Sequence, residues 1–232
     1  MDPRAIVGSP SQVSESSFIS KVYLWMAGGL FLSAAASFWL LSQPELLKAV
    51  VTNKVLFFGL IIAELGLVIG LSAALMRLSA FAATVMFCVY SFLNGATLTP
   101  VFLIYTGASI MTTFAVTAGT FLFFSLYGMT TKRDLTSVGA FAVMALIGVI
   151  LASVVNIFLK SPALMWVTTF IGIAVFLGLI AYDTQKLKAM HAMGFQDEDV
   201  RKKMAIMGAL ALYLDFVNLF LNLLRIFGRQ RN

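Results

Sequence analysis

The chain predicts an all-α membrane protein of about seven transmembrane helices, on three observations. Its 232 residues are 60% apolar and only 11% charged, where a soluble domain is about half apolar and a quarter charged. The apolar residues fall into runs long enough to cross a bilayer, each needing about 20 residues, separated by short polar connections. A β-barrel would show strands of about ten residues with alternating polarity, and none occurs. An open sheet would leave backbone groups unsatisfied in lipid, so the spans must be helices.

Taken in order, residues 1–20 are polar, with Asp2, Arg4, Glu15 and several serines. They lack the short apolar core and small-residue cleavage site of a signal peptide. A disordered cytoplasmic tail is expected over 1–20, then a single seven-helix membrane domain over 21–228 and a short tail over 229–232. The first span covers 22–41 and stops at Ser42, Gln43 and Pro44. The second covers 55–76 and contains Glu64; the third covers 81–105 and the fourth 108–127. The fifth covers 138–158, the sixth 163–182, and the seventh 204–226 with Asp215 inside it. Small residues (Gly28, Gly29, Ala34, Ala35, Ala36, Gly95, Gly119, Gly172 and Gly178) suit close helix packing.

The net charge is +6, but the basic residues sit between apolar runs. They speak for membrane topology and against a nucleic-acid partner. With the N-terminus cytoplasmic, the inside segments hold ten Lys and Arg: Arg4, Lys21, Arg77, Lys132, Arg133, Lys186, Lys188, Arg201, Lys202 and Lys203. The outside segments hold six: Lys48, Lys54, Lys160, Arg225, Arg229 and Arg231. That bias favours N-in and C-out. The basic C-terminus runs against it and keeps open a six-span alternative with a re-entrant last helix. The one cysteine, Cys88, lies in an apolar run, reads as a small core residue and permits no disulfide within the chain.

Two ionisable residues lie within the apolar runs. A charge at the bilayer centre costs about 2.5–3.5 kcal/mol on insertion scales, so Glu64 and Asp215 are the first candidates for function. The competing reading is a neutral carboxyl acting as helix glue. Asn218, Asn222 and Arg225 follow Asp215 at offsets of three, seven and ten, which fall on one helical face. Such a stripe reads as pore-facing or as a structural hydrogen-bond ladder. Asp183 closes the sixth span. If that helix continued to residue 190, Asp183 would lie about 10 Å from its end and Asp215 roughly 18 Å beyond Lys203, a mismatch that tilt would have to close. If the two carboxyls met they would share a proton, because both cannot ionise cheaply. Such a pair is a proton-gated latch, and its oxygens suit a hard cation such as Ca²⁺. His191 is alone and interfacial, and the charged run over 196–203 reads as a solvated loop. No phosphate-binding loop, nucleophile elbow or zinc-protease motif occurs.

At these residues the chain resembles a known family. Ala181-Tyr182-Asp183-Thr184-Gln185, paired with Leu212-Tyr213-Leu214-Asp215-Phe216-Val217-Asn218-Leu219-Phe220, is similar to the Bax inhibitor family of transmembrane proteins. The segment from Ser125 through Tyr127, Lys132 and Arg133 to Leu135 resembles its bacterial inner-membrane branch. The resemblance covers nearly the whole chain. It implies seven helices with the last surrounded by the other six. It also implies a pH-sensitive calcium leak with a proton-sharing aspartate pair, here Asp183 and Asp215. It further implies an acid and a basic latch on the second span. Glu64 matches the acid. Arg77 is the approximate match for the latch, followed here by Leu78 where relatives have a basic cluster.

Three functions follow as expectations. The first is a cation leak channel of the inner membrane, with Ca²⁺ as cargo and no resident cofactor. The second is a membrane-embedded interaction protein that modulates a membrane protease or another partner. The third is an intramembrane aspartyl protease, which needs Gly-x-Gly-Asp. Leu212, Tyr213 and Leu214 stand before Asp215 instead, so no enzymatic activity is expected.

Overall fold

The structure is a computed structural model that describes residues 10–192, 194–195 and 197–231, with 10–17 described by backbone alone. Eight helices follow one another among the described residues: α1 (Pro10–Leu41), α2 (Pro44–Thr52), α3 (Lys54–Ala74), α4 (Ala80–Ile104), α5 (Gly107–Thr130), α6 (Thr136–Leu159), α7 (Pro162–Ala192) and α8 (Glu198–Phe227). Seven of them, all but α2, are long and apolar enough to cross a membrane, α1 over Phe18–Leu41. The protein is therefore an all-α, multi-pass membrane protein. α8 runs unbroken through 30 residues, or about 45 Å, so the seven-span reading stands over the re-entrant one.

Local chemistry sets the ends. Asn53 starts α3 by accepting from Leu56 N–H at 3.1 Å, and Thr106 starts α5 by accepting from Ser109 N–H at 3.4 Å. Between α6 and α7, Lys160 takes a left-handed turn at φ 49°. Asn156 Oδ1 then receives Ser161 N–H at 2.9 Å, and Ser161 Oγ receives Leu164 N–H at 3.3 Å. Pro162 follows at the first helical position, where its missing N–H costs nothing.

Four boundaries differ from the hydropathy reading. Helix begins at Pro10, inside the expected tail; residues 1–9 of that tail lie outside the described residues. The connection after the first span holds α2, nine residues with Pro44 in the first turn and Glu45 beside the helix N-terminus, a favourable place for an acid. At about 13 Å it is too short to cross a bilayer, so hydropathy over a span-length window does not register it. α7 does not stop at Tyr182 but continues to Ala192, and α8 starts at Glu198, so much of the presumed loop is helix. Charged residues at a membrane surface carry helices out of the apolar layer, and a hydropathy reading ends where the apolar residues end.

The chain forms two compact units. In Met1–Pro100 with Leu187–Tyr213, the core gathers Phe18, Val22, Leu71, Phe87, Leu210 and Tyr213. There α1 and α4 touch backbone to backbone. A Cβ on Gly95 would collide with the Ser33 carbonyl, while Ser37 Oγ donates to Gly95 O at 2.5 Å. In Val101–Lys186 with Leu214–Asn232, Phe216 meets Phe114 at 5.3 Å and Phe121 at 5.6 Å between ring centroids. Those separations suit edge-on aromatic packing. The outer faces carry Phe31, Val55, Phe81 and Phe158 almost fully exposed, as lipid requires. In α8, 61% of the most apolar stretch is buried, against 11–39% in the other spans.

Not every small residue named above serves packing. Gly29, Gly95 and Gly172 lie at close approaches, whereas Gly28 and Gly119 face open space. A glycine on a lipid-facing side reads the same in sequence as one between helices.

Candidate functional site

Asp183 and Asp215 belong to the same unit. Asp215 is 4% exposed on α8. Its carboxyl lies within side-chain hydrogen-bonding reach of the Asp183 carboxyl on α7. A hydrogen bond between two carboxyls needs a proton on one of them. The second Asp215 oxygen, Oδ2, is buried with no hydrogen-bond partner among the described residues. Counting rise along α7 and α8 gave unequal depths for the two acids, but such a count assumes level, parallel helices, and tertiary placement overrides it.

The neighbours of Asp183 explain its position. A Cβ on Gly128 of α5 would collide with the Ala181 carbonyl, and one on Gly139 of α6 would run into the Tyr182 ring. Thr184 shares a hydrogen bond with Ser125 of α5 at 3.2 Å. The Gln185 amide clasps the start of α6, accepting from Leu135 N–H at 2.9 Å and donating to Arg133 O at 2.8 Å. Four residues around Asp183 are thus fastened to α5 and α6, which leaves its carboxyl for α8. Ser125, Arg133 and Leu135, like Ala181, Tyr182, Thr184 and Gln185, stood in the quoted motif segments, but no contact between the two segments was legible in the sequence. The local signal was a glycine in each helix, Gly128 and Gly139, with nothing to mark either as a contact.

Beside this clasp, Asp134 Oδ1 accepts from Thr136 Oγ1 at 2.6 Å and Thr136 N–H at 2.9 Å. The Thr136 hydroxyl first, and then its N–H, hold this surface carboxyl below its usual value. A folded-state pKa below the unfolded one gives stability that is complete above about pH 4 and is lost as pH falls through the folded pKa. Thermal stability in detergent is expected to decline on acidification below about pH 4, less steeply in Asp134→Asn.

Along α8, Asn218 Nδ2 donates to Leu214 O and Asn222 Nδ2 to Asn218 O, each at 2.8 Å. These N–H groups bond back to their own helix, as a structural ladder would. Asn222 also lies over Gly172, where a Cβ would come within 3.2 Å of its amide. Arg225 is exposed.

Glu64 belongs to the other unit. Halfway along α3 and about 15 Å from Lys54, its carboxyl accepts from Asn94 Nδ2 at 3.0 Å and Thr97 Oγ1 at 2.8 Å. Asn94 Oδ1 accepts in turn from the Tyr213 hydroxyl at 2.7 Å. Arg77 is exposed in the turn after α3. That turn is held by two residues not singled out from sequence. Lys203 Nζ donates to Leu78 O at 3.1 Å and pairs with Asp199 at 3.1 Å, and Asp199 accepts from Ala80 N–H at 3.2 Å. Their spacing of four along α8 was the available signal.

Among the described residues, no three His, Cys, Asp or Glu side chains come together as a metal site. Two acids offer at most four oxygens, where a resident Ca²⁺ takes six to eight ligands.

Seven apolar helices with carboxyl groups held inside them define a polytopic membrane protein built around intramembrane acids. The chain belongs to the Bax inhibitor family: residues 15–232 match the family described as inhibitor of apoptosis-promoting Bax1. It is 53% identical over 215 residues to the inner membrane protein YbhL of Escherichia coli K12, covering 92% of each chain. A protein of Borreliella burgdorferi is 42% identical over 219 residues, covering 94% of each chain. One of Rickettsia prowazekii is 44% identical over 217 residues, covering 93% of this chain and 90% of its own.

Proposed function

We propose that the protein is a pH-sensitive cation leak of a bacterial inner membrane, with Ca²⁺ as cargo and Asp183 and Asp215 as its gate. One observation carries the reading: two carboxyls on different helices within hydrogen-bonding reach, one of them buried with an unpartnered oxygen. With one shared proton the pair ties α7 to α8. With none, two negative charges about 4 Å apart repel by roughly 4 kcal/mol at an effective dielectric constant near 20. A cation entering between them relieves the same repulsion, in passage rather than as a resident ion. Asn218, Asn222 and Arg225 continue the path along α8. Arg77, exposed beyond α3, is the basic latch of this reading. The charge bias in the connections supports a cytoplasmic N-terminus, and the inner membrane follows the name of the Escherichia coli relative. No catalysis is proposed, since Leu212, Tyr213 and Leu214 replace the glycines an intramembrane aspartyl protease needs.

The test is Ca²⁺ flux into liposomes carrying the purified full chain, from about pH 6 to pH 8, for wild type and Asp215→Asn. The expected result is a leak that rises with pH in wild type and is flat in the variant. An unchanged pH profile in the variant would sink the gate. No flux above empty liposomes at any pH would favour the interaction-protein reading.

A further inference from the structure

The Glu64 cluster has a property separate from the aspartate gate. Tyr213 has one hydroxyl proton, and it goes to Asn94 Oδ1 at 2.7 Å. The Ser33 hydroxyl lies 2.6 Å from the Tyr213 oxygen and also reaches the carbonyls of Ser91 at 2.7 Å and Gly29 at 3.0 Å. The ring of Tyr213 is wedged edge-on against Phe87 at 6.0 Å and Tyr90 at 5.7 Å. Asn94 is thereby held with its N–H aimed at Glu64 Oε2, at 3.0 Å. The other carboxyl oxygen faces a group that works in both directions. Thr97 Oγ1 is 2.8 Å from Glu64 Oε1 and 3.0 Å from the carbonyl of Asn94. When Glu64 is charged, Thr97 donates to it. When Glu64 is protonated, its O–H donates to Thr97, whose own proton turns to the Asn94 carbonyl. Both charge states are then hydrogen-bonded, and the change between them needs only the rotation of one hydroxyl.

We infer that Glu64 is a second protonation site, independent of Asp183 and Asp215, with Thr97 as its two-way partner and Asn94 and Tyr213 as positioning residues. The ligand is a proton from water, which forms an O–H bond on Glu64 Oε1 and leaves a neutral carboxylic acid. The other titratable groups close enough to feel this carboxyl's charge are the phenols of Tyr90 on α4 and Tyr213 on α8. Among the described residues no lysine or arginine pairs with it.

The test is infrared titration of the full chain in lipid between about pH 5 and pH 9, a readout that does not depend on ion flux. The expected result is a carboxylic C=O band that grows on acidification and is absent in Glu64→Gln, where the side-chain amide keeps the shape. Thr97→Val should move this band to higher frequency, because the acid loses its acceptor, and Thr97→Ser should restore it. A failing aspartate gate would leave the band intact. The inference is overturned if no Glu64-dependent band exists, if the band is constant across the range, or if Thr97→Val leaves its frequency unchanged.

Discussion

Gly128→Ala is expected to destabilise the protein by about 3 kcal/mol, read as a fall of roughly 6–12 °C in the thermal midpoint in detergent. The added methyl has no flexible side chain to push aside, because it meets the carbonyl of Ala181 directly. Either α5 or α7 must move as a backbone. The control is the same substitution nine residues earlier on α5. A Cβ at Gly119 meets nothing within 4 Å, and Ala is the better helix former by up to about 1 kcal/mol, so Gly119→Ala should be neutral or mildly stabilising. Ala181 is two residues before Asp183 on α7. Any Gly128→Ala protein that folds should therefore also show a weakened pH response, since the displacement acts on the helix that presents Asp183 to Asp215. Equal midpoints for the two variants would mean that α5 and α7 are not in backbone contact at this point.

Sequence exposed the spans because lipid imposes one rule on all of them, about 20 apolar residues without strong charge. The same rule hid α2 and the last turns of α7, which lie where apolar character ends but helix does not. Asp215 and Glu64 were legible because an acid in an apolar helix is costly wherever it points. Their surroundings were not. Ser33, Asn94, Thr97 and Tyr213 sit on α1, α4 and α8, far apart in sequence, and each is an unremarkable residue on its own helix. Gly28 and Gly119 read as packing residues while Gly128 and Gly139 did not, because residue type gives size and only packing gives direction. Arg77, the approximate match for the latch, is exposed, and the turn it occupies is held by Lys203 and Asp199. A cation's role depends on reach and burial, which one sequence position does not encode.

The pair at Asp183 and Asp215 makes the largest functional prediction: Asp183→Asn, Asp215→Asn and the double variant should share one flat pH profile. The argument is electrostatic. Asn keeps the shape of a protonated Asp and donates through N–H, so either single variant holds α7 and α8 together as the shared proton does. Neither can produce two facing charges, and that repulsion, roughly 4 kcal/mol at about 4 Å and an effective dielectric constant near 20, is what would open the proposed gate. Only about a third of it need reach the gate to change flux tenfold, since 1.4 kcal/mol is a factor of ten. Wild type is therefore expected to vary about tenfold or more between pH 6 and pH 8, and each single variant by less than about twofold. Because the first substitution already removes the repulsion, the second has nothing left to remove, and the effects should be strongly non-additive. Two singles that each lose half of the response, with a double that loses all of it, would mean that the carboxyls titrate independently. The contact between them would then be helix glue, and the pH sensor would have to be sought elsewhere in the chain.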